Sequence, residues 1–577
     1  MIRHKYWIAF VLLGSLLAGC SASDEAGESD GSPSGVVSKG DLTLSYGVDK
    51  LTENRHIYDN DKVDSVTSFY VTITDDNLTS EHPLTWSKLN SIQYPVDNTD
   101  DKKVNVLVQE GDESGIISSV GKLGYGEDHA NAEISLRGKS SLNSNQKSYK
   151  IKLFDDAGVW RNQTSINLLK HEFDFTRVRN RLSFDYFKMI PNMTSYHMQF
   201  VHLYVKDLTS GAKAPAFTDY GLYEQIEQPN KRFLRSHGLD PNGQLYKAEN
   251  FEFYRYPEKL KKADDPAYNK DLFETVISVE GNNDHEKLLQ MLDEMNNLSL
   301  DFDEVFDRHF DRDNYLTWMA SNILMDNIDT ITQNFLLYSP QNGNKFYFIP
   351  WDYDGGWGFN EFDHTGKPGE ARAPWMRGIS NYWETTLASR FFKNPDNVKQ
   401  LEDKVDELRK IITPAQTKSF LDSYRSTVYP YVSKQPDLTY LPGKLSQYDQ
   451  ELDRIAGLSE VNAELFKKQL QLPMPFFMGE VAHQGSTFTF HWDASYDLQG
   501  DDLTYHFMVA KEPAFAHPIE ERKNEKSSTV LLEGLGKGRY FWKVVAQDSQ
   551  GNVMPSFDIY EDTEGMKNYG VREFYVD

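Results

Sequence analysis

The 577-residue chain has one cysteine, Cys20. A lone thiol has no partner for an internal disulfide, and no Cys-x-x-Cys pair exists to build a zinc or redox site. The 15 histidines are scattered. None sits in a His-Glu-x-x-His motif, and the one Gly-x-Ser-x-Gly match, Gly27 to Gly31, lies in the acidic Gly/Ser-rich stretch with no strand and helix pattern around it to form a nucleophile elbow. Positive charge is scarce, with 61 Lys and Arg against 87 Asp and Glu and a net charge of -26. That balance argues against a nucleic-acid partner, which needs clustered cations. Long apolar runs are missing except at the start of the chain, so nothing further on is read as crossing a membrane.

That one run is a targeting segment. Arg3, His4 and Lys5 precede apolar Tyr6 to Ala18, and the segment closes on Leu17-Ala18-Gly19-Cys20. A basic start, a short apolar core and small residues before a cut read as a signal peptide over residues 1–19. The last four residues resemble the lipobox of bacterial lipoproteins. The resemblance implies cleavage before Cys20 and a lipid on its sulfur, hence a membrane anchor in the cell envelope. Ser21 at the next position favours the outer membrane over the inner one in a Gram-negative cell. Residues 20–38 are acidic and rich in Gly and Ser, and read as a flexible tether.

The chain is organised around Asp326 to Phe359. Tyr315, Trp318, Met319, Ile323 and Leu324 recur at helical spacing, so a helix delivers the chain to Asp329. Phe335–Tyr338 and Phe346–Ile349 flank Pro340-Gln341-Asn342-Gly343 and predict a β-hairpin. Asp329 and Asn334 precede the hairpin, and Asp352, Asp354 and Gly355-Gly356 follow it. Helix, Asp-x-x-x-x-Asn, hairpin, Asp is the order of a protein-kinase catalytic core. There an aspartate accepts the proton of the attacking hydroxyl, and hard oxygen ligands hold Mg²⁺ on the nucleotide phosphates.

Upstream, Ala132 to Arg137 reads as a strand ending in Gly138-Lys139-Ser140-Ser141. In Lys147 to Phe154, Tyr149, Ile151 and Leu153 share one face, and Ser148, Lys150 and Lys152 share the other. A basic strand beside a Gly/Ser turn suits phosphate, and it equally suits a solvated lysine face. Val178-Arg179-Asn180-Arg181-Leu182, Gly221-Leu222-Tyr223 through Glu227, and Gln244-Leu245-Tyr246-Lys247 follow.

Taken in order, Arg-Gly-x-Ser-Ser, Lys-Ser-Tyr-Lys-Ile-Lys, Val-Arg-Asn-Arg-Leu, Gly-x-Tyr…Glu, Asp…Asn-x-x-Leu-Tyr and Phe-Ile-Pro-Trp-Asp-x-Asp resemble the spore-coat protein H (CotH) kinase family. The likeness covers roughly Val104 to Asn360, and its most specific piece is Phe348 to Asp354. It implies an atypical kinase fold using ATP and Mg²⁺ or Mn²⁺, with protein Ser/Thr as acceptor. It implies Asp329 as catalytic base, Asn334 and Asp352 as metal ligands, and Asp354 as a helper ligand. Arg137, Ser140 and Ser141 would cover the phosphates. Glu227 would pair with a lysine among Lys147, Lys150 and Lys152. The sequence departs from the family at Asn145-Gln146-Lys147, where Pro-Lys-Lys is frequent, and at Glu224-Gln225-Ile226, where a more apolar run is frequent.

The expected class is α+β, with a β-rich lead-in over 39–103, a two-lobed kinase-like domain over 104–472 and a β-sandwich over 473–577. Helices are expected at Asp311–Asp329, Phe391–Ile412, Ala415–Val432 and Leu445–Leu470. Thr413 caps the third, with Pro414 at its first turn. Alternating strands after Pro473-Met474-Pro475, with Trp492 and Trp542 as core aromatics, resemble a fibronectin type III or Ig-like module. The expected activity is an envelope-anchored protein kinase. The alternatives are a non-catalytic surface binding or assembly scaffold, or a divalent-metal hydrolase.

Overall fold

The computed structural model describes residues 50–95, 102–359, 361 and 372–576. The signal peptide, Cys20 and the tether lie outside the described residues. So does the strand expected at 42–46.

The chain is mixed α/β. Its first half builds an eight-stranded sheet from β1 (Val66–Ile73), β2 (Lys103–Asp112), β3 (Gly115–Ile116), β4 (Ala132–Arg137), β5 (Ser148–Leu153), β6 (Ser165–Leu169), β7 (Met198–Asp207) and β8 (Thr218–Ile226). The order is β1-β7-β8-β6-β5-β4-β2-β3, and β1 also pairs with β2. The sheet therefore closes into a barrel, with β3 outside the ring. Strand periodicity explains the closure. Val71, Val106, Ile134, Ile151, Ile166 and Leu203 all point inward and are fully buried in one cluster. The boundary drawn at Val104 moves, because β1 is a stave between β2 and β7. That strand of the expected lead-in is part of the barrel, a fact hidden because β1 pairs with a strand more than a hundred residues away.

The outer faces of β7 and β8 supply Phe200, Leu222 and Ile226 to a second, larger core. That core holds the helix Arg179–Phe187, a four-stranded antiparallel sheet and the helical half. The sheet runs β10-β9-β11-β12, with β9 at Gln244–Ala248, β10 at Ile277–Val279, β11 at Phe335–Ser339 and β12 at Tyr347–Pro350. The expected hairpin is β11–β12, with Tyr338 opposite Tyr347. The four expected helices form within a few residues of the predicted bounds, at Arg312–Met325, Pro395–Leu408, Pro414–Val432 and Tyr448–Gln469. Thr413 accepts from the Gln416 amide at 3.1 Å, as its capping position requires.

Beyond Met474, two antiparallel sheets share one apolar cluster in which Phe490 and Trp492 meet Phe507 and Trp542. This region is not loosely tethered. Trp375 packs edge-on against Phe557 and Tyr569, and the same cluster includes Ile328, the residue before Asp329. The charged strand Glu520–Glu525 carries no apolar alternation and escaped the sequence reading. Among the described residues no helix is long and apolar enough to cross a membrane.

Candidate active site

The helix at Arg312–Met325 is capped by Asp311, which accepts from the Asn314 amide at 2.8 Å. It ends at Asp326, whose φ of +54° breaks the helix. Asp326 is buried against Arg372 at 2.7 Å. The following turn brings Asp329 back onto its own downstream residues. Its two carboxylate oxygens accept from Gln333 Nε2 at 2.8 Å and Asn334 Nδ2 at 2.9 Å. Asn334 adopts φ +60° and Asp352 φ +55°, so a left-handed residue stands at each end of the hairpin. The loop after β12 packs onto the first turn. A side chain at Gly355 would come within 3.9 Å of Asp329 Cβ. Tyr353 OH donates to Asn322 at 2.7 Å, and the Trp357 indole donates to Ser183 at 2.9 Å. These bonds fix Asp352 and Asp354 beside Asp329.

The result is three carboxylates in mutual repulsion. Burial, with Asp354 nearby, pushes Asp329 up to about 6. Burial and then Asp354 push Asp352 up to about 7, against the pull of His171 and Arg137. His171 is the counter-charge. Its Nδ1 lies 3.2 Å from Asp354 and its Nε2 3.4 Å from Glu224. Burial opposes protonation of the ring, but the two carboxylates outweigh it and hold its pKa well above the usual histidine range. Glu224 also accepts from Asn180, whose side-chain oxygen receives the Tyr353 amide at 2.9 Å.

Facing this acidic cluster is a basic rim. Gly138 turns at φ +92°, and a Cβ there would sit 2.0 Å from Ser141 Oγ, so the turn after β4 requires glycine. Arg137 lies over the Trp351 ring at 5.3 Å. Lys139 reaches Glu249 at 2.8 Å, and Lys247 meets the same carboxylate at 2.6 Å. Burial opposes ionisation of Glu249, but Lys247 and Lys139 outweigh it and hold the group down at about 2. Lys247 stands opposite Leu336, and the Phe251 amide donates to Thr332 at 2.8 Å. Glu249 therefore runs level with Asn334. Lys150 contributes to this region through half-buried Glu280, which desolvation raises to about 7 against Lys247 and Lys150.

Several expected placements change. Glu227 meets none of Lys147, Lys150 or Lys152. It lies 2.9 Å from His237 Nε2. The residue turned toward the acidic cluster is Glu224, three positions earlier on the same strand. Strand alternation alone could not tell these apart, because β8 is buried on both faces from Gly221 onward. Lys147 is buried and donates to the Leu142 carbonyl. Lys152 stands opposite Glu133 on the barrel wall. Ser141 donates to the Arg137 carbonyl at 3.1 Å, which shapes the turn, and Ser140 is exposed beside it. Lys139, Lys247, Glu249, Glu224 and His171 were missed. Lys139 sat in plain view inside the Gly/Ser turn. Nothing in the sequence marks His171.

A carboxylate–amide cluster thus stands beside a lysine–glutamate cluster on the neighbouring strand, a set of groups that can bind a cation and phosphate oxygens. The CotH kinase protein family model matches residues 134–462, more than half of the chain, and the chain belongs to that family. It is 23% identical over 350 residues to the inner spore coat protein H of Bacillus subtilis (strain 168), covering 59% of this chain and 87% of that protein. A golgi casein kinase crystal structure aligns with 76% of this chain and 94% of its own, at 13% identity and a TM-score of 0.22.

Proposed function

We propose that the chain is an envelope-anchored protein kinase that transfers the γ-phosphate of ATP to Ser or Thr hydroxyls of envelope or secreted proteins. The observation that carries this reading is the convergence of Asp329, Asn334, Asp352 and Asp354, with the Lys139–Glu249–Lys247 cluster level with Asn334. The donor set fits a hard divalent cation. It is all oxygen and half-buried, and its carboxylates repel one another despite His171 and Arg137, which a divalent cation would relieve. Asn334, Asp352 and Asp354 would hold Mg²⁺ or Mn²⁺. When bound, that ion would neutralise phosphate oxygens and bring ATP into line.

Asp329 then acts as the acceptor for the hydroxyl proton as the new O–P bond forms and the β–γ bridge breaks. Its hydrogen bonds from Gln333 and Asn334 orient the carboxylate. Lys139 and Lys247 hold phosphate oxygens, and Glu249 fixes the two ammonium groups. Arg137 and the Ser140-Ser141 turn cover the phosphates from the barrel rim. The Leu17-Ala18-Gly19-Cys20 box and the acidic tether support anchoring through a lipid on Cys20. The two-sheet C-terminal region, read as a fibronectin-like module, supports a presenting role close to the acceptor side of Asp329.

The test incubates the chain from Ser21 to Asp577 with γ-labelled ATP and Mn²⁺ or Mg²⁺, alone and with envelope proteins. Asp329→Ala and Asp352→Ala are run beside it. Label on protein that disappears in both variants is the expected result. No label, with no metal-dependent thermal shift on adding ATP, would leave a non-catalytic binding scaffold as the better account.

A further inference from the structure

A cluster of two histidines and a glutamate stands apart from the acidic carboxylates. His197 and Glu227 extend the β7–β8 ladder by one residue past the pair Met198 and Ile226, and the Glu227 amide donates to the His197 carbonyl at 3.2 Å. His237 caps the short helix at Lys231–Ser236. The three side chains each offer a ligand atom, and those atoms lie within 4.8 Å of one another. The two imidazole centroids are 6.0 Å apart, against about 5–6 Å expected for two imidazoles on one tetrahedral ion.

The surroundings are those of a metal-binding histidine pair. His237 Nδ1 is 2.7 Å from Glu53, and His197 Nδ1 is 2.8 Å from Asp61. Each histidine thus places Nδ1 on an outer carboxylate, and a metal bound at His237 Nε2 would displace the proton that this nitrogen shares with Glu227. His237 Nε2 and Glu227 Oε2 already lie 2.9 Å apart. His237 and Glu227 are buried, and the rings of Tyr58 and Phe233 pack on the histidines. Glu53 and Asp61 come from the segment that precedes the barrel.

We propose that His197, Glu227 and His237 form a His₂Glu site for Zn²⁺, oriented by Asp61 and Glu53, that clamps the segment before the barrel onto the end of its β7–β8 pair. Borderline-soft zinc suits two imidazoles and one carboxylate, whereas the all-oxygen cleft suits Mg²⁺ or Mn²⁺.

The experiment measures zinc in the tag-free full chain after dialysis, by mass spectrometry of the metal, and records the visible spectrum of the Co²⁺-substituted protein. About one zinc per chain and an intense tetrahedral Co²⁺ band are expected. His237→Ala and His197→Ala should lose the zinc, and Asp61→Ala should weaken it about 10–100-fold. Asp352→Asn, in the acidic cleft, should retain it. Wild-type protein without zinc, and with only the weak spectrum of hydrated Co²⁺ after incubation, would overturn the site whether or not the variants fold. Zinc lost from Asp352→Asn but kept in His237→Ala would overturn it as well.

Discussion

The His171 imidazole lies 3.2 Å from Asp354 and 3.4 Å from Glu224, so one cation ties a strand of the barrel to the loop after the hairpin. Asp354 is thereby oriented from behind. His171→Gln keeps a polar group but loses the charge and one of the two contacts. The metal concentration giving half-maximal phosphotransfer should rise about 10–100-fold, as is usual when a residue supporting a ligand is removed. The maximal rate at saturating metal should fall much less. A titration of activity with Mn²⁺ gives both values. Equal losses in the two would show that His171 acts in another way.

The lysine that serves ATP should be Lys139. Lys139→Ala leaves buried Glu249 with one lysine partner instead of two, beside the Ser278 hydroxyl. The KM for ATP should rise about 10–100-fold, the equivalent of roughly 1.4–2.8 kcal/mol. Lys147→Ala should alter stability through the Leu142 carbonyl it binds and leave the KM for ATP within about twofold. The reverse ranking would restore the sequence expectation.

The acidic half of the site was legible because it is local. Asp329, Asn334, Asp352 and Asp354 lie within 26 residues, and a hairpin of predictable type brings its two ends together. The basic half was only partly legible. Lys139 and Glu249 are 110 positions apart, and a strand pattern states which face a lysine occupies but not which carboxylate crosses to it. The helices were plain from their apolar stripes and caps. Closure of the barrel was not, since the parallel β1–β7 pairing joins segments with no turn between them. Glu227 misled because it stands in a buried polar cluster of its own.

Stability should fall in acid through Glu249. Its folded pKa of about 2 lies below the ordinary glutamate value of 4.5. The unfolded chain therefore binds more protons between those values. The contribution is complete above the unfolded pKa and is lost as pH falls through the folded one. At most it amounts to about 3 kcal/mol. Urea unfolding at pH 5.5 and pH 3 should show a smaller loss for Glu249→Gln than for the wild type. Identical losses would mean that Lys139 and Lys247 do not hold the carboxylate down.

The barrel and the helical half are joined by a buried ion pair, Lys170 to Asp437 at 2.6 Å, with side chains 1% and 3% exposed. Lys170 also donates to the carbonyls of Tyr220 and Leu222 and lies 4.3 Å from the Tyr223 ring centroid. Asp437 accepts the Leu222 amide at 2.9 Å. A glycine at 221 makes this approach possible, since its φ is +78° and a Cβ there would sit 2.3 Å from Asp437 Oδ2. Asp437→Leu strands a buried ammonium and should cost about 3–5 kcal/mol, whereas the double change with Lys170→Met removes both charges and should recover most of that. Gly221→Ala should destabilise by pushing the carboxylate off the lysine, with added strain from the positive φ. Denaturant unfolding of the four proteins decides the matter. A double variant no more stable than Asp437→Leu would mean that the packing and backbone bonds around Asp437, rather than the pairing of charges, hold the two halves together.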